Sequence, residues 1–158
     1  MEDAVATVPR FLKVPIKMLT GDRGVVDLLS KSLSHLTTHF FGVYDEHGGS
    51  QVANYCSTCV HTALQEELEP LMARWGGDES DNNCHEMWKK AFHNCFLKVD
   101  DEIRGKQGSH QPGAPETVGS TAVVALICSS HIFSIKLRRF KSGFMQRWER
   151  SHGTLCRS

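Results

Sequence analysis

The chain has 158 residues, of which 40% are hydrophobic and 23% are charged. This length and composition suffice for one domain with a modest core, and they exclude a disordered or fibrous chain. The sequence has no run of 18 apolar residues that could span a membrane, and residues 1–10 lack the basic and apolar regions of a signal peptide. We therefore expect a soluble intracellular protein that does not contact a membrane.

The net charge is zero only because two unequal parts of the chain cancel. Residues 1–133 contain 11 Lys and Arg against 17 Asp and Glu, whereas residues 134–158 contain 7 against 1. The basic end has neither a repeated arginine–aromatic pattern nor a clean amphipathic period. A nucleic-acid partner is therefore not expected.

The first third of the chain contains two strand patterns. Residues 1–15 alternate apolar and polar side chains, which predicts a strand interrupted at Pro9 and Pro15. Residues 18–37 are typical of a connection. An aromatic and β-branched run over residues 38–45 predicts a buried strand that delivers polar residues to a Gly-Gly turn.

Apolar residues at spacings of three and four then predict two helices. The first follows Ser50, a candidate N-cap, and runs to about Met72, and the second covers about residues 83–103. A Gly- and Pro-containing loop over residues 105–115 precedes a β-branched strand over 117–128. This order of elements predicts an α+β fold with helices packed on one face of a sheet.

The cysteines and histidines allow two interpretations. Some of them have spacings that suit zinc ligands: Cys56, Cys59 and His61 in one group, and Cys84, His85, His93 and Cys95 in another. Both groups lie in helical patterns without the glycine turn of a zinc knuckle, and six cysteines are too few for a disulfide scaffold. Reduced cysteines in the core are the favoured interpretation.

Two acidic clusters lie at predicted strand ends. One is Glu2-Asp3, and the other is Asp45-Glu46-His47. Carboxylates that converge from neighbouring strands suit hard divalent cations, and two such ions could activate water for phosphoryl transfer. By spacing alone, a solvated loop before a turn is the favoured interpretation of the second cluster.

Three ordered motifs resemble those of the metal-dependent type 2C protein serine/threonine phosphatases. They are Met-Glu-Asp at residues 1–3, Phe-Phe-Gly-Val-Tyr-Asp-Glu-His-Gly-Gly at 40–49 and Glu-Thr-Val-Gly-Ser-Thr-Ala at 116–122. Further residues, such as Val-Pro-Arg-Phe at 8–11, are similar to the plant clade that antagonises abscisic-acid signalling. The resemblance runs from residue 1 to about residue 132, and it implies part of a four-layer α-β-β-α sandwich, in which two antiparallel sheets are flanked by helices.

The resemblance implies a role for each residue of the two acidic clusters. Asp45 matches the aspartate that bridges two Mg²⁺ or Mn²⁺ ions, and Glu2 matches an acidic residue that reaches the metal through water. Glu46 stands where the family has a glycine that offers its carbonyl, so a positive φ there would strain it. His47 matches the general acid for the leaving alcohol. In the family's mechanism, water attacks phosphorus directly and no phosphoenzyme forms.

The resemblance also implies partners and a setting. The loop formed by Gly48, Gly49 and Ser50 corresponds to one that contacts hormone receptors and kinase activation loops in the family. The implied function is dephosphorylation of phosphoserine and phosphothreonine in proteins such as kinases, with negative regulation of abscisic-acid signalling. The implied setting is the cytosol, the nucleus or both.

The sequence departs from the family at both ends. The family's phosphate-binding arginine precedes the Met-Glu-Asp motif, and its later metal-binding aspartates have no match after residue 132. We interpret residues 1–132 as a partial catalytic domain and residues 133–158 as a divergent basic tail that is frame-shifted or alternatively spliced. We expect weak metal binding and no turnover. The alternative is a non-catalytic interfering isoform that binds receptor or kinase partners.

Overall fold

A computed structural model of the chain describes residues 3–20, 34–74, 84–103, 119–128, 132–140 and 145–149. Their elements in chain order are β1 (Ala4–Pro15), α1 (Ile16–Thr20), β2 (His35–His47), α2 (Gln51–Arg74), α3 (Cys84–Ile103), β3 (Gly119–Ile127), β4 (Ile132–Phe140) and β5 (Met145–Glu149). The strands form one sheet in which each is antiparallel to the next along the chain. The predicted α+β fold is confirmed.

Strand β1 continues through Pro9, where the sequence pattern predicts an interruption. The pairing with β2 instead shifts register between Val8 and Leu12, and Arg10 in this bulge has a φ of 54°. Because proline has no N–H for the ladder, a bulge at this position loses little hydrogen bonding. The Arg10 N–H donates to Nδ1 of His39 at 3.3 Å, so the bulge remains attached to β2.

Strand β2 is longer at both ends than the predicted strand over residues 38–45. At its start His35 pairs with Pro15 of β1, and at its end His47 pairs with Gly119 of β3. Pairing on both sides satisfies the backbone groups that a loop would leave to water. Asp45, Glu46 and His47 therefore belong to the sheet and do not form a loop after it.

The two faces of the sheet differ. Phe40 and Tyr44 of β2 are fully buried on the face that α2 covers, which we call the covered face. The opposite face, called the open face, carries exposed apolar side chains in β1, β2 and β3: Val5, Phe41, Val43 and Val123. Val5 pairs with Val43, and Val43 with Val123, so the apolar side chains form a ladder across three strands. Such a face is typical of a sheet that packs against another layer.

Both predicted helices are confirmed, with ends within about two residues of the prediction. The carbonyl of Ser50 accepts a hydrogen bond from the Asn54 N–H at 2.9 Å, which places Ser50 at the N-cap of α2 as predicted. Helix α2 packs on β1, β2 and β3, and α3 packs on α2. The described helices therefore lie on one face of the sheet, as the order of elements predicts.

Side-chain contacts join the helices to one another. The indole N–H of Trp88 in α3 donates to the carbonyl of Met18 in α1 at 2.7 Å, so this large buried ring keeps its hydrogen bond. On the outer surface, the Tyr55 hydroxyl of α2 donates to Glu102 of α3 at 2.9 Å. These contacts fix α3 against the rest of the covered face.

Cys56 of α2 and Cys95 of α3 lie fully inside the core. Burial raises the pKa of both thiols far above the usual value, so both stay protonated at neutral pH. Cys95 donates its S–H to the Val60 carbonyl at 3.4 Å. The favoured interpretation of these two cysteines as small core residues is confirmed.

Some predictions lie partly or wholly outside the described residues. The predicted connection is described only at its ends, and the loop over residues 105–115 lies outside. The predicted basic tail contributes the backbones of β4 and β5, which extend the sheet beyond β3. Among the described helices, none has the length and apolar character that a membrane span needs.

Gly42 on the covered face generates the first testable prediction. A Cβ there would lie 2.5 Å from the Tyr44 hydroxyl oxygen and 2.8 Å from Cζ, and the Tyr44 ring is fully buried. We expect Gly42→Ala to lower the free energy of unfolding by about 1–3 kcal/mol, as overpacked cores do, measured by urea denaturation.

Tyr44→Phe is the matched control. Among the described residues, the Tyr44 hydroxyl has no hydrogen-bond partner, so its removal should leave the stability unchanged or raise it. An unchanged urea midpoint in Gly42→Ala would show that the Tyr44 ring can move aside.

Candidate metal and catalytic site

The three central residues of the predicted site are the last three of β2. Strands β1 and β3 run antiparallel to β2, so both begin beside its end: Ala4, the first residue of β1, pairs with Tyr44, and Thr121, the third residue of β3, pairs with Asp45. The start of β1 therefore enters the sheet next to Asp45, as the convergence of strand ends predicts. Glu2 lies outside the described residues, and its contact with a metal through water stays a prediction.

Strand alternation separates the three side chains. Asp45 and His47 are exposed at the end of the open face, whereas Glu46 is half-buried at the end of the covered face. A cation ligand and a proton donor reach one substrate most directly when they share a side of the sheet. Asp45 and His47 meet this condition, and the Glu46 carboxylate does not accompany them.

The backbone of Glu46 carries no glycine-like strain. Among the described residues other than glycine, only Arg10 has a positive φ, and Glu46 pairs with Ser120 in the ladder. The strain considered for a side chain at this position is therefore absent, because the residue lies in an extended strand. The site tolerates the Cβ that replaces the family's glycine.

The His47 ring contacts the carbonyl of the preceding residue. Nδ1 of His47 lies 3.2 Å from the Glu46 oxygen, and since a carbonyl only accepts, the contact is a hydrogen bond when Nδ1 carries the proton. This bond holds the imidazole against its own strand. This contact involves Nδ1 alone, and Nε2 is the other ring nitrogen of His47.

Two hydroxyl groups of β3 contact Asp45. The Ser120 hydroxyl, which is fully buried, donates to the Asp45 carbonyl at 3.0 Å. The Thr121 hydroxyl lies 3.5 Å from Oδ2 of the Asp45 carboxylate. The sequence analysis includes both residues in the motif over 116–122 but assigns them no role, because only the strand register shows which residues they face.

The turn after β2 depends on two glycines. Gly48 has a φ of 74° and Gly49 a φ of 144°, and Ser50 then begins α2. L-residues with a side chain rarely adopt either conformation. The predicted partner loop therefore has a defined conformation, with Gly48 exposed and Gly49 and Ser50 half-exposed.

The oxygen atoms at the end of β2 are of the ligand type that Mg²⁺ and Mn²⁺ prefer. Both ions prefer oxygen ligands, and Asp45 offers an exposed carboxylate. Within the described ranges, no three His, Cys, Asp or Glu side chains stand close enough to hold a metal ion. In this part of the chain, the predicted site therefore depends on Asp45.

Gly49 generates a prediction about the turn. A residue with a side chain at position 49 would have a disfavoured φ, and its Cβ would lie 2.4 Å from Oε1 of Gln51. We expect Gly49→Ala to lower the free energy of unfolding by about 1–3 kcal/mol because of backbone strain, measured by urea denaturation. Gly48→Asn, at a φ that asparagine tolerates, should cost less. Full recovery of stability in Gly49→Ala/Gln51→Ala would show that the contact with Gln51, not φ, causes the loss.

The sequence is similar to known proteins over most of its length. Residues 13–137 match the family model for protein phosphatase 2C. The chain is 51% identical over 142 residues to protein phosphatase 2C 7 of Arabidopsis thaliana, which covers 84% of this chain and 27% of that protein. It is 52% identical over 141 residues to protein phosphatase 2C 16 of the same plant, with the same coverage of each chain.

A rice relative matches equally well. The probable protein phosphatase 2C 6 of Oryza sativa subsp. japonica is 51% identical over 133 residues, which cover 84% of this chain and 28% of that protein. The chain thus spans about a quarter of the length of these relatives. Since the family model covers most of the sequence, the chain belongs to the protein phosphatase 2C family.

Proposed function

We propose that this chain contributes to the metal-dependent hydrolysis of phosphoserine and phosphothreonine in proteins, with Asp45 as a cation ligand and His47 as the proton donor. The observation that carries the proposal is the shared side of Asp45 and His47 at the end of β2, next to the start of β3. The family supports this reaction class, since the relatives are named as protein phosphatases. Glu2 and the Glu46 carbonyl are the further oxygen ligands in this proposal.

Each residue has a distinct task in this reaction. The carboxylate of Asp45 binds the cation, and Ser120 fixes the backbone that carries it. Bound Mg²⁺ or Mn²⁺ would supply the activation of water and the neutralisation of phosphate charge. With both ring nitrogens protonated, His47 donates the Nε2 proton to the alcohol that leaves and becomes neutral, so that no alkoxide is released into water. The backbone carbonyl of Glu46 accepts a hydrogen bond from the Nδ1–H of His47 and so orients the ring.

The physiological role rests on the finer sequence resemblance. The family motif at residues 40–49 supports a protein that acts on phosphoprotein substrates such as kinases. The finer motif at residues 8–11 supports negative regulation of abscisic-acid signalling. The cytosol, the nucleus or both are the compartments in which such substrates would be met. Gly48, Gly49 and Ser50 form the loop through which a kinase or a hormone receptor would dock.

A second function, binding without catalysis, has support from the turn itself. The loop at residues 48–50 is built by β2 and α2, both of which this chain supplies. Its conformation depends on the positive φ angles of Gly48 and Gly49. The chain could therefore present a partner surface as an interfering isoform even where its metal site is weak.

The metal site generates a binding prediction. With Asp45 as the carboxylate on which the described site depends, Mn²⁺ should bind the 158-residue chain with a dissociation constant of about 1 mM, because such ions give up hydration water reluctantly. Asp45→Ala should abolish this binding in isothermal titration or water-proton relaxation. A micromolar constant that Asp45→Ala abolishes would mean that further ligands complete the site.

Catalysis generates a separate prediction. Hydrolysis needs two metal cations in register, a cationic group that orients the phosphate, and a proton donor. When several groups of one catalytic unit are missing, their effects on the rate do not add, so little activity remains for Asp45→Ala to remove. We expect the purified 158-residue chain to hydrolyse a phosphothreonine peptide in Mn²⁺ no faster than its Asp45→Ala variant.

Two results would change this assignment. Turnover that disappears in Asp45→Ala or on addition of a chelator would make the isolated chain an enzyme. Binding of a phosphorylated kinase activation loop without turnover would favour the interfering isoform, and Gly49→Asp should then weaken that binding by distorting the turn. Thr7→Val, at an exposed position of β1 outside both the turn and the proposed site, is the control variant for the binding measurement.

A further inference from the structure

Asp45 and Thr121 form a cross-strand pair on the open face. The two residues are direct register partners in β2 and β3, so their Cβ atoms lie on the same side of the sheet. The Thr121 hydroxyl lies 3.5 Å from Oδ2 of Asp45, which is longer than the ordinary O–H···O hydrogen bond of about 2.5–3.0 Å. As a hydroxyl it can donate to the carboxylate, which only accepts.

The backbone of Asp45 is held separately. The buried Ser120 hydroxyl lies 3.0 Å from the Asp45 carbonyl and 3.1 Å from the Thr121 carbonyl, and its single proton serves one of them at a time. Both are backbone atoms of the β2–β3 ladder. With the backbone fixed in this way, the side-chain torsions are the remaining freedom of the Asp45 carboxylate.

We propose that Thr121 is a positioning residue for Asp45, and that its hydroxyl selects the side-chain rotamer in which the carboxylate binds a divalent cation. A carboxylate that is already oriented loses less rotamer entropy when it binds an ion. This inference rests on the proposed function of Asp45.

Residues that hydrogen-bond to metal ligands affect metal affinity by a typical amount. Hydrogen bonds to ligating groups orient them, and removal of such a partner typically weakens metal affinity by about 10- to 100-fold. Because the contact between Thr121 and Asp45 is long and exposed, we expect an effect near the lower limit. Ser120 differs in kind, since its hydroxyl holds backbone and its loss should affect stability first.

Solution NMR of the 158-residue chain tests the proposal without a metal. The three-bond couplings between Hα and the two Hβ protons of Asp45 report its χ1 rotamers. We expect one dominant rotamer in the wild type, averaged couplings in Thr121→Val, and recovery of the single rotamer in Thr121→Ser. Averaged couplings in the wild type, or couplings that Thr121→Val leaves unchanged, would overturn the proposal, and the wild-type measurement requires no variant to fold.

A matched control is available on the same face. Thr7 of β1 is also exposed and pairs with Phe41, so Thr7→Val makes the same chemical change away from Asp45. This variant should leave the Asp45 couplings at their wild-type values. A change in both variants would mean that a general loosening of the sheet, not the Thr121 hydroxyl, sets the rotamer, and this would also overturn the proposal.

A second measurement separates positioning from metal binding. At Mn²⁺ concentrations far below the dissociation constant, the broadening of the Asp45 amide resonance per added Mn²⁺ is proportional to affinity. After subtraction of the slope in Asp45→Ala, we expect a slope about 10-fold smaller in Thr121→Val and near the wild-type value in Thr121→Ser.

The two readouts fail in different ways. Couplings that change as expected in a wild type that broadens no more than Asp45→Ala would support the positioning contact and contradict the proposed metal function. A normal slope in Thr121→Val would overturn the claim that Thr121 assists the cation ligand.

Discussion

Burial of Phe40 and Tyr44 beneath α2 determines which face of β2 carries Asp45. Side chains of a strand alternate, so a slip of one residue would turn Asp45 toward the core and the apolar pair toward water. The cost of that exchange fixes the register of β2 against β1 and β3. The position of the candidate site at the end of β2, on the open face, is therefore a consequence of core packing.

The same register brings β3 to the site. When Gly42 pairs with Val124 under α2, Thr121 comes opposite Asp45, and Ser120 comes opposite Glu46. A buried hydroxyl on the Asp45 carbonyl and an exposed hydroxyl near its carboxylate follow from this pairing. The residues proposed to act on phosphate are thus held by strands from two distant parts of the chain.

The end of β2 is also where the backbone changes direction. Two successive positive φ angles, at Gly48 and Gly49, take the chain from the end of β2 to the first turn of α2. Since α2 covers the core under β2, any strain in this turn is transmitted to both elements. The residues proposed as metal ligand, proton donor and partner loop consequently share one structural unit, which extends from Asp45 to Ser50.

The sequence by itself determined the helices, the strand cores and the α+β class, because these depend on local periodicity, as in Val52 to Met72 of α2. It also placed Asp45, Glu46 and His47 together, since they are consecutive. Only the tertiary structure decided that these residues lie within β2, that Arg10 forms a bulge, that Glu46 is unstrained and that Thr121 faces Asp45. Each of these depends on pairing between segments far apart in the chain, and local periodicity carries no information about which residues two strands place opposite each other.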